Sequence, residues 1–369
     1  MKKQLSSLDL HHLLKELEVL KDSRIDKIYQ PEKNSLIFSL YKTNIGKKLL
    51  KINIGQSLFI AEEKEDYGEI LGFGMFLRKH LGGYFLFDVG QIKPERIIKF
   101  SFKIKDDKKY LYLEFFGRGN AILCYENDII INSLEHHEFK DRTIKPKIKY
   151  KYPIMKYNFF DLDKNGAIDL LKSSKKDSIV ICLAVELGLG GVYSEEICLL
   201  SEMDKNQKPQ DISEKQMQLI LNSIKNLVNK KIEPQVIFED NNLIDVVPFG
   251  LQFYQNYQRK SFPAFGEALS FFCSHFKEVK QTEFDKKLRN LQRIVEEQKA
   301  AIEELKNQEK ELREKAELIY HKYSLIKEIL NEINKASKKY SWKEIKERLK
   351  EHTIIKEVNE KERKIVVEI

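Results

Sequence analysis

From Glu283 to Ile333 the chain keeps one rhythm. Leu288, Leu291, Val295, Ile302, Leu305, Leu312, Ala316, Ile319, Tyr323, Ile326, Leu330 and Ile333 follow alternating steps of three and four, and only Gln298 and Glu309 interrupt them. A heptad pattern this sustained predicts a long amphipathic helix with an apolar seam, a coiled-coil arm. Roughly six heptads at about 1.5 Å per residue make a rod of about 70 Å. One helix cannot bury such a seam by itself, so the pattern also predicts a partner. Residues 343–350 are too short to serve. Thr353–Val358 and Lys364–Ile369 read as a hairpin around Asn359-Glu360-Lys361. The expected partner is therefore a helix on a separate chain, or the returning helix of a longer protein of which this is a truncated form; failing either, it is a second copy meeting the first through Leu291, Ile302, Leu312 and Ile326.

The rest of the chain reads as two further parts, giving an α+β fold. Leu10, Leu13, Leu14, Leu17 and Leu20 mark an amphipathic helix over 7–20. Strand-like patterning fills 24–60 and 84–132, with a helix expected at 69–80 between them. Residues 1–140 are thus expected as an antiparallel-sheet domain, and 141–164 as a basic connector. Residues 165–280 read as a helical domain, with a helix over 178–187, a Gly-rich hairpin and a second helix from about Ser194. Ser213 and Gln216 make a capping box for a further helix. The arm covers 281–335 and a small α/β tip 336–369.

Charge is unevenly spread over the 369 residues. Residues 1–150 hold 27 basic against 21 acidic side chains, 151–250 hold 12 against 15, and 251–369 hold 26 against 21. A phosphate-bearing partner would favour the first and last thirds. The connector is the densest candidate: Lys140, Arg142, Lys145, Lys147, Lys149 and Lys151 lie among Tyr150 and Tyr152, with Asp141 the only acid. Basic residues interleaved with aromatics suit single-stranded RNA; a solvated edge strand would look the same. Cys124, Cys182, Cys198 and Cys273 form no CxxC pair, and His11-His12 and His136-His137 lack a third ligand at useful spacing, so no metal site or cofactor is expected. No apolar run reaches membrane-span length, and no apolar stretch follows Lys2 and Lys3 as an export signal requires. The chain reads as soluble and cytoplasmic.

Several short segments carry a resemblance. They are Ser7-Leu8-Asp9, Ile28-Tyr29-Gln30-Pro31, Phe76-Leu77-Arg78-Lys79-His80-Leu81, Gln91 with Glu95-Arg96-Ile97, Gly117-Arg118-Gly119-Asn120, Leu187 through Cys198, and Phe262 through Leu269. Their colinear order resembles the NFACT family of ribosome-associated quality control factors, in an archaeal style. The resemblance implies an N-terminal NFACT-N domain, a helix-hairpin-helix domain and a coiled-coil arm. It implies binding to large ribosomal subunits that carry a stalled peptidyl-tRNA, recruitment of tRNA, and support of untemplated, alanine-type tail synthesis. No catalytic residue of the chain's own is implied. The C-terminal NFACT-R domain is expected to come from elsewhere.

By the same resemblance Asp9, Glu95 and Arg96 are expected at the tRNA site, with Glu95 standing where the family has aspartate. Asp9 also fits the third position of a capping box opened by Ser6. Arg78, Lys79, Arg118, Lys145, Lys147, Lys149 and Lys151 are candidate RNA-backbone contacts, although Arg78 and Lys79 would also suit a solvated helix face. The hairpin glycines Gly188, Gly190 and Gly191 could hold a phosphate through backbone N–H groups. Glu195 and Glu196 beside them argue instead for packing or a protein contact. Two other functions are set against this one. DNA glycosylases of the formamidopyrimidine type use an N-terminal proline amine beside a glutamate, whereas this chain has Lys2 and Lys3. Some bacterial relatives were named fibronectin-binding proteins, which would make the chain an adhesin.

Overall fold

A computed structural model describes residues 2, 4–61, 72–153, 155–275, 283–350 and 352–368. Residues 69–71 of the expected first-domain helix, the 280/281 domain boundary, Lys3, Ile369 and the side chain of Ile319 lie outside it. The chain divides into two compact units, 1–277 and 278–369.

The first unit opens with helix α1 (Ser7–Leu17), whose capping box is formed as expected: Ser6 Oγ accepts from Asp9 N at 3.1 Å and Asp9 Oδ2 from Ser6 N at 2.7 Å. Then come β1 (Ser23–Glu32), β2 (Ser35–Lys42), β3 (Gly46–Asn53), β4 (Ser57–Ala61), α2 (Gly72–Leu81), β5 (Phe85–Gln91), β6 (Ile97–Ile104), β7 (Asp107–Glu114), β8 (Asn120–Tyr125) and β9 (Ile130–Ser133). Among the described residues these strands form one nine-stranded antiparallel sheet, ordered β4-β3-β2-β1-β5-β6-β7-β8-β9. Period-two alternation sorts its side chains. Ile98, Phe100, Phe102, Leu111, Leu113 and Leu123 face a core shared with α1. Ile97, Tyr112, Ile122 and Cys124 face the other way.

That second face explains the basic stretch after residue 140. The short strands β10 (His137–Glu138) and β11 (Thr143–Ile144) pair, and Ile144 and Tyr150 bury themselves against Ile97, Tyr112 and Ile122. Ile130 N donates to Ile148 O, and Tyr150 N to Asp128 O. The segment is laid onto the sheet, with its lysines outward.

Helices follow: α3 (Lys164–Ser173), the single turn α4 (Ile179–Ile181) widening into a π turn at Cys182–Glu186, α5 (Gly191–Leu200) and α6 (Glu214–Asn229), the last with the expected Ser213–Gln216 capping box. The stretch expected to be wholly helical also contains a three-stranded sheet of β12 (Gln235–Glu239), β13 (Asn242–Val247) and β14 (Gln258–Ser261), ordered β13-β12-β14. β12 and β13 are too short to show a decisive period, and pairing supplies what local pattern does not. Val236 and Val246 point into the main core and Ile237 and Val247 into the helical one. Helix α7 (Phe265–His275) then packs on β4.

The second unit holds α8 (Glu283–His321) and α9 (Tyr323–Ala336), separated at Lys322, then α10 (Trp342–Arg348) and the hairpin β15 (Ile355–Asn359) and β16 (Lys364–Val367). The seam residues Leu291, Ile302, Leu305 and Leu312 are 54–65% exposed. After Lys322 a second apolar stripe, Leu325, Ile329 and Ile333, packs the tip against Ile345, Ile355 and Val358, while Tyr323 and Leu330 stay exposed.

Candidate nucleic-acid interface

An open cleft of about 1420 Å³ runs along the first unit. Its walls are the Pro94–Arg96 turn before β6, the Gly117–Asn120 turn before β8, the segment from His137 to Met155, and the approach to α5. Seven expected site residues line it: Glu95, Arg96, Arg118, Lys149, Lys151, Gly188 and Gly190. Others lie elsewhere. Arg78 donates through Nε to Ile28 O and covers the Tyr29 ring at 5.2 Å. Lys79 is exposed on α2, Lys145 pairs with Glu138, and Lys147 holds a turn at φ +69°.

The two charges before β6 differ in environment. Glu95 is buried, and its Oε1 accepts from Met155 N at 2.8 Å. Burial pushes its carboxyl above the usual range, against the Met155 N–H and the nearby Arg96 and Arg142. Arg96 Nη1 donates to Gln4 Oε1 at 3.2 Å. Among the described residues no carboxylate lies within 4 Å of its guanidinium, whose planar fork of donors is left to face the cleft. Burial lowers its pKa and Glu95 raises it in part.

Asp9 sits one contact behind the cleft wall and is completely buried. Besides Ser6 N, its Oδ2 meets Lys2 Nζ at 2.9 Å, and its Oδ1 accepts from Tyr193 Oη at 2.6 Å. Lys2 also reaches Asp245 Oδ1 at 3.3 Å, and Tyr254 Oη donates to Asp245 Oδ2 at 2.6 Å. Burial by itself would lower the Lys2 pKa; Asp245 and Asp9 outweigh it and hold the ammonium above its ordinary value. Every partner of Asp9 is thus internal, and the carboxylate braces α1 against α5. Sequence reasoning had no means of finding Lys2, Tyr193 and Asp245, since no spacing links them.

The glycine hairpin is tight for stated reasons. Gly188 has φ +72°, and a Cβ there would meet Met155 Cε at 2.5 Å. Gly190, at φ +80°, is the N-cap of α5. Glu195 and Glu196, which argue for packing or a protein contact at the hairpin, both have partners. Glu196 is fully buried and accepts from Gln252 N and Phe253 N at 3.0 and 2.8 Å, and Glu195 pairs with Lys205 at 2.9 Å. At the cleft wall itself stand Gly188 and Gly190, and the Gly190 N–H already donates to Ala184 O at 3.2 Å.

Arg118 projects from a turn welded to its neighbour. Gly119 has φ +74°, and a Cβ there would fall 2.3 Å from Gly55 N. Gly117 O accepts from Gln4 Nε2 at 2.7 Å. A further group was missed in the sequence: Glu114, at the end of β7, grips Arg142 through Nη1 at 2.5 Å and Nη2 at 3.2 Å, and accepts from Tyr150 Oη at 2.9 Å. Among the described residues no group of three His, Cys, Asp or Glu is placed to hold a metal, and no helix is long and apolar enough to cross a membrane.

Fold and site together define an α+β protein with an open, basic, aromatic-lined cleft. Residues 6–364 match the family described as NFACT N-terminal and middle domains, and the chain belongs to that family. It is 30% identical to the archaeal Rqc2 homolog aRqcH of Methanocaldococcus jannaschii, over 100% of this chain and 58% of that protein. To the ribosome quality control complex subunit NEMF homolog of Drosophila melanogaster it is 26% identical, over 56% of this chain and 21% of that one. It therefore spans little more than half of the first and about a fifth of the second. In fold it is similar to the fibrinogen binding protein from Staphylococcus aureus (TM-score 0.59, 19% identity, 72% of this chain and 98% of that). It is similarly like the N-terminal part of the fibronectin/fibrinogen-binding protein from Streptococcus suis (TM-score 0.59, 21% identity, 73% and 99%).

Proposed function

We propose that the chain is a cytoplasmic ribosome-associated quality control factor. It binds large ribosomal subunits that carry a stalled peptidyl-tRNA and recruits a tRNA through the cleft. The observation that carries the reading is the convergence of Arg96, Arg118, Lys149 and Lys151 on one cleft. Relatives named as ribosome quality control complex subunits in fly and yeast support it. Four cations at unpaired RNA neutralise phosphates and release counterions, so affinity falls steeply with salt. Arg96 is the group suited to a base edge or a bidentate phosphate. Asp9 acts behind them by holding the first turn of α5 in place.

In this reading tail elongation is chemistry of the ribosome, and the chain supplies recognition. Residues 1–140 serve as the NFACT-N sheet domain, 141–164 as the basic connector, 165–280 as the helix-hairpin-helix domain, 281–335 as the coiled-coil arm and 336–369 as the tip. The exposed seam of α8 takes a second helix along Leu291, Ile302, Leu305 and Leu312. A glycosylase reading fares poorly: those enzymes use an N-terminal proline amine, positions 2 and 3 here are lysines, and the Lys2 side chain is taken up by ion pairs to Asp9 and Asp245. The adhesin reading rests on the names of two structures at 19% and 21% identity, a likeness of fold.

The test is co-sedimentation of the purified chain with large subunits bearing or lacking peptidyl-tRNA, followed by sequencing of the RNA retained. Enrichment on the loaded subunits, with a tRNA recovered, is expected. Equal recovery with loaded subunits, free subunits and no ribosomes would overturn it.

A further inference from the structure

The cleft holds two large aromatic side chains that no packing demand explains. Phe139 is 50% exposed and Tyr152 is 42% exposed, and both line the cleft. Single exposed aromatics are ordinary; two in one basic cleft, backed by a fixed cation, are not. The Arg142 guanidinium lies 4.9 Å from the Phe139 ring centroid on one side and 5.4 Å from that of Phe116 on another. Its side chain is only 11% exposed, and Glu114 fixes it with two hydrogen bonds. The guanidinium plane is therefore committed before any ligand arrives. Tyr152 is set 6.4 Å from Tyr150, whose hydroxyl donates to the same Glu114.

We propose that Phe139 and Tyr152 form a stacking platform for unpaired nucleobases of an RNA loop. Arg118, Lys149 and Lys151 take the flanking phosphates. The proposal rests on the RNA-binding reading of the cleft and adds to it the ligand's state: bases turned out of a helix. The physics favours that state, because a base in a duplex has no free face, whereas an unpaired base stacks on an aromatic ring without a sequence-specific hydrogen bond. The Phe139 ring, already set against the fixed Arg142 guanidinium, loses little freedom when a base arrives.

The experiment uses the full chain and a short RNA hairpin with one 2-aminopurine in its unpaired loop. Binding should quench the 2-aminopurine fluorescence. Phe139→Leu with Tyr152→Leu should weaken binding roughly fivefold to a hundredfold and abolish the quench, with the salt dependence unchanged. Phe139→Tyr with Tyr152→Phe, which keeps both rings, should retain affinity and quench. Arg118→Gln should instead lower the salt slope by about one while the quench persists. Leucine variants that bind within twofold of the original and still quench would overturn the platform and leave the RNA reading standing. An original chain that binds neither this hairpin nor tRNA would overturn both.

Discussion

The Tyr193 hydroxyl donates to Asp9 Oδ1 at 2.6 Å, joining the first helix of the chain to the helix that opens at the glycine hairpin. The bond crosses 184 positions of sequence. It turns a residue expected to meet RNA into one that braces the wall RNA would meet.

Asp9→Ala removes three partners at once. Losing its half of the capping box, with the Ser6 cap itself kept, costs at most about 0.5–2 kcal/mol, and leaving Lys2 buried beside Asp245 alone adds to that, since breaking a buried pair costs about 3–5 kcal/mol. The pair dominates, so a loss of about 3 kcal/mol or more is expected in urea unfolding. Tyr193→Phe, which takes only a hydrogen bond, should cost about 1–3 kcal/mol. A loss no larger than a cap's for Asp9→Ala would show that the Lys2 contact contributes nothing.

Arg96→Ala should reduce tRNA recovery at least tenfold while large-subunit binding and unfolding midpoint stay near those of the original chain. Its guanidinium makes one internal hydrogen bond, to Gln4, so little fold stability is at stake. Undiminished tRNA recovery would remove it from the site.

Glu95→Gln keeps an oxygen to accept from Met155 N and deletes the negative charge beside Arg96. Anion binding in the cleft should strengthen several-fold, and lowering the pH should have the same sign of effect, because burial already raises the Glu95 pKa. Glu95→Asp, shorter by one methylene, should lose the Met155 bond. Inorganic phosphate titrations at two pH values would check all three.

His11 carries the clearest pH signature. Burial first, then Lys93, His12 and Lys15, push its pKa down to about 4. Below the unfolded value of about 6.5 the unfolded chain binds the proton and the folded chain does not. Stability should therefore be full above that value and fall as pH drops from about 6.5 toward about 4. His12, lowered chiefly by burial, adds in the same direction. The urea midpoint should be lower at pH 5 than at pH 7, and His11→Gln should flatten the difference.

The exposed seam of α8 should make the chain self-associate where no other helix covers it. Leu291→Lys, Leu305→Lys and Leu312→Lys together should shift sedimentation to the monomer without unfolding the tip, whose core uses Ile329, Ile333 and Ile345. A parent chain that is already monomeric at micromolar concentration would contradict this.

Much of the fold was legible because its signals are local. The Ser6–Asp9 and Ser213–Gln216 boxes, the seam from Leu288 onward and the closing hairpin each declare themselves within a few residues. The β12–β14 sheet did not, because each strand is specified by its neighbours across space. At the site the pattern is similar. The cationic side chains could be read from composition and resemblance, but not which of them converge. Nothing in the segment of Glu196 reveals the Gln252 and Phe253 amides it serves. For Asp9 the sequence shows the capping box but not its contacts with Lys2 and Tyr193.

The contact between Gly119 and Gly55 leaves no room for even one methyl group. Two turns from opposite ends of the sheet order act as a riveted joint, and Arg118 is mounted on it. Its backbone is therefore as still before an encounter as after one. In the proposed reading an arriving anion has only the outer torsions of one side chain to arrest, so recognition at this corner would be governed by how often the partner arrives rather than by how long the protein takes to shape itself.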